Sequence, residues 1–572
     1  MSKPPVAKDY FLPEQKNADD RFYLGPIRKA RDISALIDGD QIFKALEGAI
    51  LGAKKNVLIA FWAFDPFLKL LTPQAKKFGG TVWGDLLFQV ANNGVKVRIL
   101  WNDFDAGFQH VNHVFAWARY RLMVQRAMKE AVSETNFQVV VARHEAEITA
   151  DVVKSAGKAG AYDDVIKALE VDPKDPARSD PDKMKKERAI AYANGPGFWE
   201  KITFDTSKVI MTARKPGEAY PAYPAAYHQK FVIVDGKTAF AGGINLVDPN
   251  MDTRKHTFKA DWAWHDAFIT FEGEPIEDLS RNFIAIWNYE RKRSEVFLKG
   301  ALKVAHKNVG MPIGVTTDLA LSDILPASPD KEKTPIPSQV QRTMTRKSSA
   351  TNGVPDIIRK DVLDGYLRAI ALAEKYIYIE NQYFRETSIA DAIIAQHKKN
   401  TALRTIILLP RVAEEFMKSK GDAISLFGAA LQFEAFEKMQ KEIGKNLGLF
   451  TAVVGDKETS VYIHSKLILI DDVYANLGSA NANPRSFRMD CELNLAWYDK
   501  RSVKQLRVNL WNEMLGSAGG ISGWKTKDFV DKWSAIAKKN QGQAAKKRKS
   551  FVIPFENKIQ GLKLPIIPEV FT

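Results

Sequence analysis

The sequence predicts an α/β protein built from two similar halves, and three observations lead to this fold class. A motif made of His-x-Lys, an apolar run and Asp occurs at 228–235 and again at 464–471. A helix pattern, a turn and a buried-strand pattern stand upstream of each copy, at 40–66 and 363–384. The 572 residues are enough for two lobes, each with its own core. Helices and strands that alternate in both halves predict a duplicated α/β fold.

The elements of the two halves follow the same order along the chain. In the first half a helix over 40–53 is followed by a strand from 56, a helix at 81–94 and a strand at 95–101. In the second half a helix over 363–373 precedes a strand from 376, a helix at 388–400 and a strand at 403–410. The motif and its scaffold therefore repeat together.

The two motif copies read YHQKFVIVDGKTAFAGGIN from Tyr227 and YIHSKLILIDDVYANLGSAN from Tyr462. The apolar runs after each Lys predict buried strands. Alternation with a period of two places the His and the Lys of each copy on one face: His228 with Lys230, and His464 with Lys466. The motif aspartates, Asp235 and Asp471, have the opposite parity. We therefore interpret these aspartates as structural residues at the strand ends.

A third His-x-Lys begins at His397 but lacks the rest of the pattern. Arg404 stands where the Asp should be. We interpret this stretch as a solvated helix end.

The doubled pattern HxKxxxxD, followed by GG-x-N or GS-x-N, resembles the phospholipase D superfamily over most of 40–300 and 355–515. This resemblance implies two α/β sandwich lobes with mixed sheets, a pseudo-two-fold between them, and one active site at their interface. The stretch 379–384 and the triplet Trp264, His265, Asp266 resemble eukaryotic-type phospholipases D and the bacterial lipase effectors of type VI secretion.

Cleavage of a phosphodiester by covalent catalysis needs a nucleophile, an acid for the leaving oxygen and positive charge on the other oxygens. Two imidazoles and two ammonium groups supply these parts. The resemblance adds one orienting carboxylate for each imidazole and nominates His228 as nucleophile and His464 as acid. The predicted catalytic residues are His228, Lys230, His464, Lys466, Asp266 and Glu492. Which carboxylate orients which imidazole stays open.

Small and amide residues after each strand are candidates for contact with the substrate phosphate, because a turn there brings N–H groups close to an anion. The candidates are Asn245, Asn481, Gly243 and Ser479. The same residues could instead shape tight turns. His265 is expected to pack or to bond locally.

No run of Cys, His, Asp and Glu has the sequence spacing of metal ligands, and a Lys beside each catalytic His would repel a cation. No Gly-rich nucleotide loop of the Walker type is present either. We predict metal-independent chemistry without a cofactor.

Composition restricts the partners and the compartment. The net charge of +15 favours an anionic partner, although ordinary solvated surface accounts for it equally well. Cys491 is the single cysteine, so the fold contains no internal disulfide. The N-terminus has no apolar signal region and no stretch has the length of a membrane span. We expect synthesis in the cytoplasm, with export by a route other than Sec.

The predicted domain organisation has five parts. They are an N-terminal surface arm at 1–35, a first lobe at 36–300 with an insertion at about 105–220, a linker at 301–354, a second lobe at 355–515, and a basic tail at 516–572. Within the insertion, Phe115, Trp117 and Arg119 could enter a lipid headgroup layer or pack on their own domain. The polar segment 172–188 has the composition of a mobile loop.

These features favour a monomeric phospholipase D that hydrolyses membrane glycerophospholipids to phosphatidic acid and a free headgroup. Two alternatives stay open: a nuclease-like phosphodiesterase, and a cardiolipin-synthase-like phosphatidyltransferase. Family nucleases are typically short single-motif chains, and cardiolipin synthases usually carry N-terminal membrane helices. The expected partner is a phospholipid surface, not nucleic acid. For an antibacterial or host-directed effector at a target-cell membrane, the partners would include a secretion machine, a chaperone or an immunity protein.

Overall fold

The computed structural model describes residues 4–103, 123, 132–133, 135–146, 199–204, 209–213, 224–257, 263–305, 317–325, 335–349, 354–411, 423–516 and 520–556. Most of the predicted insertion lies outside the described residues, including Phe115, Trp117, Arg119 and the segment 172–188. Within the ranges given above, no helix combines the length and the apolar character that crossing a bilayer requires.

The strands and helices follow the order that the sequence predicts. The strands are β1 Arg28–Ile37, β2 Asn56–Phe61, β3 Lys96–Asn102, β4 Phe137–Ala142, β5 Trp199–Phe204, β6 Val209–Ala213, β7 Phe231–Val234, β8 Thr238–Gly242, β9 Ala263–His265, β10 Ala267–Gly273, β11 Ile336–Arg346, β12 Asp356–Lys360, β13 Tyr376–Glu380, β14 Arg404–Leu408, β15 Leu447–Val454, β16 Thr459–Ile463, β17 Leu467–Ile470, β18 Tyr474–Gly478, β19 Glu492–Tyr498 and β20 Val552–Pro554. The helices are α1 Asp38–Gly52, α2 Pro73–Gly79, α3 Trp83–Asn92, α4 Pro275–Ala305, α5 Asp361–Ala371, α6 Thr387–Lys399, α7 Ala423–Ile443, α8 Pro484–Arg488, α9 Lys500–Leu515 and α10 Phe529–Asn540.

The two halves have the same strand order. It runs β4, β3, β2, β7, β8, β10 in the first half and β15, β14, β13, β17, β18, β19 in the second. In both, the first three strands are parallel and the others antiparallel. β11 lies between the halves, paired with β1 on one side and β19 on the other. The result is one large mixed sheet, which confirms the predicted α/β fold class.

The sheet is covered on both faces, since its central strands are buried at every position. On β13, Ile377 and Ile379 pack in the cluster formed by α5, α6 and α7. Tyr376 and Tyr378 point to the opposite face, where Trp511 of α9 contacts the ring of Tyr378 at 5.4 Å between centroids. β2 of the first half alternates in the same way between two clusters. The motif strands β7 and β17 are thus held in the middle of a packed sheet.

The structure differs from the sequence-based boundaries at three segments. The predicted surface arm buries Tyr10 and Phe11 against the second half and continues into β1 of the sheet. The predicted linker contains β11, the strand that joins the halves. The predicted tail contains α10, whose Trp533 is fully buried, and β20, which pairs with β15. Each segment is polar on average but has a few apolar residues, and these few enter the core.

His397 also differs from its interpretation as a solvated residue. It lies in the last turn of α6 as expected, but its ring is buried and its Nε2 lies 2.9 Å from Oγ1 of Thr405. The helix end packs on the sheet, so this imidazole is a core residue.

Candidate active site

Each His-x-Lys segment leads directly into the central motif strand of its half. The backbone after Lys230 becomes β7 and the backbone after Lys466 becomes β17. Both lysine side chains are buried, and each Nζ donates to the carbonyl oxygen of the motif His two residues earlier, at 2.7 Å for Lys230. An ammonium group has three N–H donors. Among the described residues no other acceptor is found for these groups, which leaves donors for an anionic ligand.

The motif aspartates lie at the far end of their strands, away from the imidazoles. Both have a positive φ, 55° at Asp235 and 57° at Asp471. The carboxylate of Asp235 accepts hydrogen bonds from the backbone N–H groups of 54, 55 and 56 at 2.7–3.1 Å. The carboxylate of Asp471 accepts three from 374, 375 and 376 at 2.7–2.8 Å. Each carboxylate therefore binds the turn before the neighbouring strand.

The orienting carboxylates are exchanged between the halves. Nδ1 of His228 lies 2.9 Å and 3.0 Å from the two carboxylate oxygens of Glu492, and Nδ1 of His464 lies 2.6 Å from Oδ2 of Asp266. Backbone bonds dock the same segments, since the N–H of His228 donates to the carbonyl of Cys491 and the N–H of His464 to that of His265. The structure thereby assigns each carboxylate to the imidazole of the other half.

Each carboxylate is itself held by donors. Glu492 accepts hydrogen bonds from the hydroxyl groups of Ser479 and Ser486, both at 2.6 Å. Asp266 accepts one from the backbone N–H of Ala267 at 2.9 Å. Ser479 was predicted to contact phosphate, but its hydroxyl is committed to Glu492. Phosphate contact by Ser479 stays a prediction.

Gly243 also acts on an orienting carboxylate. A Cβ atom at this position would lie 2.3 Å from Oδ1 of Asp266 and 2.8 Å from the carbonyl oxygen of His464. Real Cβ contacts are longer, so only glycine lets the turn approach the carboxylate this closely. Space for Asp266 explains this glycine, and contact of its backbone with phosphate stays a prediction.

The two asparagines after the motif strands, Asn245 and Asn481, are buried. Oδ1 of Asn245 accepts a hydrogen bond from the backbone N–H of Ala63 at 3.2 Å. The backbone N–H of Asn481 donates to Oγ of Ser486, and its Oδ1 is buried without a hydrogen bond to any described residue. An amide in this position has donors for a substrate oxygen. Phosphate contact by the two asparagines stays a prediction.

Aromatic rings flank both imidazoles. Trp62 meets the ring of His228 edge-on at 5.6 Å between centroids, and Trp264 lies 4.8 Å from His464 while stacking on Tyr462 at 4.7 Å. Trp62, Tyr462 and Ser486 were not among the predicted site residues. The position of Trp62 was a signal, because this residue directly follows β2, the strand beside the motif strand. No local pattern marks Ser486.

Burial sets the protonation states of the site. It lowers the pKa of His228 and His464 well below the usual 6.5, and the charges of both lysines lower it further. Burial also lowers the pKa of Lys230 and Lys466 to about 7 and raises the pKa of Glu492 to about 7. The free site therefore has neutral imidazoles at neutral pH. A bound phosphodiester anion would raise the pKa of both lysines and both imidazoles.

His265 is fully buried behind this site. Its Nε2 lies 3.1 Å from Oε2 of Glu380, and Asp38 and Glu513 lie beside its other nitrogen. It therefore bonds locally, as expected, and belongs to a separate cluster of ionisable groups.

Comparison with known proteins finds sequence similarity to enzymes named for phospholipids. Residues 366–514 match the family described as cardiolipin synthase, PLD-like domain. Cardiolipin synthase 1 of Staphylococcus epidermidis is 26% identical over 49% of this chain and 45% of its own length, so the chain spans about half of this relative. Phospholipase D alpha 4 of Arabidopsis thaliana is 22% identical over 83% of this chain and 63% of its own. A structure of phosphatidylserine synthase from Haemophilus influenzae covers 89% of this chain and 95% of its own, at 13% identity and a TM-score of 0.44.

Proposed function

We propose that this chain, which carries a phospholipase D-like domain, transfers the phosphatidyl group of a glycerophospholipid through a phosphohistidine to water or to an alcohol. The observation that carries the proposal is the pair of His-x-Lys segments with buried lysines, each with its imidazole bonded to a carboxylate of the other half. Two imidazoles with fixed orientation and two buried ammonium groups are the parts that a two-step displacement at phosphorus requires.

The first step forms the covalent intermediate. The Nδ1–H of His228 donates to Glu492, so the lone pair of this imidazole is on Nε2 and is free to attack phosphorus. The bond between phosphorus and the headgroup oxygen breaks as the P–N bond forms. His464, protonated in the presence of the substrate anion and held by Asp266, gives a proton to the departing alkoxide.

The second step releases the phosphatidyl group. His464 is now neutral and removes a proton from the acceptor hydroxyl, whose oxygen attacks phosphorus while the P–N bond breaks. Water as acceptor gives phosphatidic acid, and an alcohol gives a new phosphodiester. His228 returns to its starting neutral form.

Lys230 and Lys466 stabilise the charge on the non-bridging oxygens during both steps. Their side chains are buried, and the coulombic effect of both reaches both imidazoles. Positive charge fixed in a low-dielectric site stabilises a transition state more than mobile charge in water does.

The acceptor distinguishes two versions of the proposal. Similarity to the plant phospholipase D favours water, and similarity to cardiolipin synthases favours the hydroxyl group of a second lipid. Both versions use the same intermediate. Export as an effector, and the secretion, chaperone or immunity partners that this implies, are proposed from the sequence resemblance alone.

The test uses purified full-length protein and vesicles of phosphatidylcholine, phosphatidylethanolamine and phosphatidylglycerol, with plasmid DNA in parallel. We expect lipid cleavage, and added ethanol should divert product from phosphatidic acid to phosphatidylethanol. Accumulation of cardiolipin from phosphatidylglycerol alone would select the lipid acceptor. Nicked DNA with intact lipid would overturn the proposal in favour of a nuclease. The variant with both His228→Ala and His464→Ala is the control for contaminating activity.

A further inference from the structure

A second cluster of ionisable side chains lies directly behind Asp266 and joins the two halves. Its members each place one ligand atom within 4.8 Å of the others: Asp38, His256, His265 and Glu513. They come from the start of α1, a loop of the first half, the end of β9, and α9 of the second half. All four side chains are buried. We propose that this cluster binds one divalent transition-metal cation of the zinc class.

The atoms that face one another have no aligned hydrogen bond. Nδ1 of His265 lies 2.8 Å from Oε1 of Glu513 and 3.0 Å from Oδ1 of Asp38, and Nε2 of His256 lies 3.4 Å from Oε1 of Glu513. Among the described residues, these two nitrogens, Oε1 of Glu513 and Oδ2 of Asp38 are buried without a hydrogen-bond partner. Buried polar atoms without a partner are rare in native structures and call for a ligand.

The outward-facing atoms of the same side chains are bonded. Nδ1 of His256 lies 3.3 Å from Asp252, and Nε2 of His265 lies 3.1 Å from Glu380. The second oxygen of Glu513 accepts a hydrogen bond from Nε of Arg254 at 2.6 Å. A carboxylate on the outer nitrogen fixes the proton there and turns the lone pair of the inner nitrogen inward, as in most metal-bound histidines.

The geometry and the donor set suit zinc better than the alkaline-earth cations. Bonds of about 2.0–2.1 Å in a tetrahedral site put neighbouring ligand atoms about 3.3 Å apart. Three of the ligand-atom separations, 2.8, 3.0 and 3.4 Å, lie within about 0.5 Å of that value, and all lie within 4.8 Å, so a small inward shift of the side chains would close the site. Imidazole nitrogen is a ligand for zinc and its neighbours in the transition series, whereas calcium and magnesium take oxygen.

Charge also calls for a cation, although it does not select one. The carboxylates of Asp38, Asp252, Glu380 and Glu513 are all buried, and Arg254 pairs with Glu513. Protons on both imidazoles would offset the excess negative charge as well as a dication would. The geometry favours the dication. A protonated inner nitrogen needs an acceptor along its N–H bond, and neither Nδ1 of His265 nor Nε2 of His256 has an aligned acceptor among the described residues.

The site would act on the reaction through position. Asp38 also accepts a hydrogen bond from the backbone N–H of Asp266 at 3.2 Å, and His265 is the preceding residue. A cation held by Asp38, His265 and Glu513 would fix Asp266 against His464 and tie α9 of the second half to the first half. It touches no reacting atom, so the ligands are positioning residues.

Metal content of the untagged full-length protein is the direct test. After incubation with Zn²⁺ and gel filtration, mass spectrometry of the elements should find about one zinc per chain. Prolonged chelation should remove the metal and lower the Tm by about 5 °C or more. X-ray absorption at the zinc edge should show nitrogen and oxygen ligands at about 2.0–2.1 Å that include imidazole.

Variants locate the metal. Glu513→Gln and His256→Gln should lose at least nine-tenths of the bound zinc, and the effect of chelation on their Tm should vanish. His397→Gln removes a buried imidazole elsewhere and should keep the metal, as should His228→Ala. If the cluster variants do not fold, the absorption spectrum of the wild-type protein still decides.

Two results would overturn the proposal. One is wild-type protein that holds less than one-tenth equivalent of zinc after loading and whose Tm ignores both zinc and chelator, which would identify a network of protonated imidazoles. The other is loss of metal in His228→Ala with retention in Glu513→Gln, which would place the metal at the catalytic imidazoles.

Discussion

The two halves of the molecule share a scaffold but surround their imidazoles differently. The side chain of His228 is 14% exposed and, among the described residues, meets the ring of Trp62 edge-on. The side chain of His464 is 7% exposed and lies against both Trp264 and Tyr462. The carboxylate that holds His228 is fixed by two hydroxyl groups, whereas Asp266 is fixed by backbone. Duplication has therefore produced two imidazoles in unequal settings.

The difference suggests how the roles are divided. A nucleophile must accept the whole phosphatidyl group on its ring, which favours the more open His228. An acid and base only exchanges a proton with an oxygen, and this suits His464 with its closer aromatic cover. Five experiments compare the two halves, from the largest expected effect to the smallest.

Loss of either imidazole should abolish turnover of natural lipids, but an activated substrate should separate the two. Phosphatidyl-p-nitrophenol has a leaving group that departs without a proton. We expect His464→Ala to regain much of the rate of the first step on this substrate, seen as a burst of nitrophenol, since general acid catalysis contributes roughly 10²–10⁴-fold to that step. Its later turnover should stay slow because no base activates the acceptor, and His228→Ala should show no burst. Release of nitrophenol measures both. Rescue of His228→Ala instead would exchange the two roles.

Replacement of either carboxylate by the neutral amide should impair the imidazole of the other half. Glu492→Gln turns an acceptor of the His228 Nδ1–H into an amide, which disfavours the reactive tautomer, and a loss of up to about 10⁴-fold in kcat is expected. Asp266→Asn should cost a similar factor through His464. Trapping with labelled lipid should show less phosphohistidine in Glu492→Gln. Normal trapping there would contradict the crossed pairing.

The buried lysines should be equivalent despite the unequal imidazoles. Lys230→Met and Lys466→Met keep the shape of the side chain and remove one fixed charge, which should lower kcat roughly 10²–10³-fold each. Lys398→Met, an exposed lysine on α6, is the control and should be neutral. Steady-state rates and Tm together measure the effect. A lysine variant with normal rate and a lowered Tm would have a structural role only.

The pH profile should report both lysines at once. Their pKa of about 7 is lowered by burial, so raising the pH through this value in the free enzyme removes positive charge from the site. We expect kcat/KM to fall steeply above about pH 7, because the lysines then lose charge in addition to the loss of the acidic form of His464, whose pKa in the free enzyme is lower still. It should also fall at acid pH, well below 6.5, as the nucleophilic imidazole gains a proton. The alkaline fall of kcat should begin at a higher pH than that of kcat/KM, because the bound anion raises the pKa of the lysines. A kcat/KM that still rises to pH 10 would exclude this assignment.

Ser486→Ala should have the smallest effect and should act on one half only. It removes one of two hydroxyl donors to Glu492, so a loss of about tenfold or less is expected. The loss should appear in phosphohistidine formation with KM unchanged. A change in KM alone would place Ser486 in substrate binding.

The sequence was sufficient for features that depend on local pattern. Apolar runs identified the central strands β7 and β17, because such runs are encoded by neighbouring residues. The prediction that His228 and Lys230 share a face assumed a strand from the His, whereas β7 begins after Lys230. The pairing of His228 with Glu492 was not predictable, since two segments far apart in the chain meet only after the halves dock. Ser486 and the cluster around His265 were missed for the same reason.

The burial of segments outside the repeat could not be predicted from the pattern either. Tyr10, Trp533 and β11 enter the core or the sheet from stretches that are polar on average. In each, one side of a short element is buried, which average composition does not show. Such residues become recognisable only when the surface that they cover is known.

The hydrogen bonds of Asp235 and Asp471 determine how many residues can separate Lys from Asp in the motif. Each carboxylate accepts hydrogen bonds from three N–H groups at the start of the adjacent strand, so it fixes the register between that strand and the motif strand. A slip of one residue would turn the His and the Lys to the opposite face of the sheet. Each motif Asp stands five residues after the motif Lys, which is about 16 Å along an extended chain. Inserting or deleting a single residue between Lys and Asp should therefore misdirect the catalytic side chains as thoroughly as removing them, even though the altered position never meets the substrate.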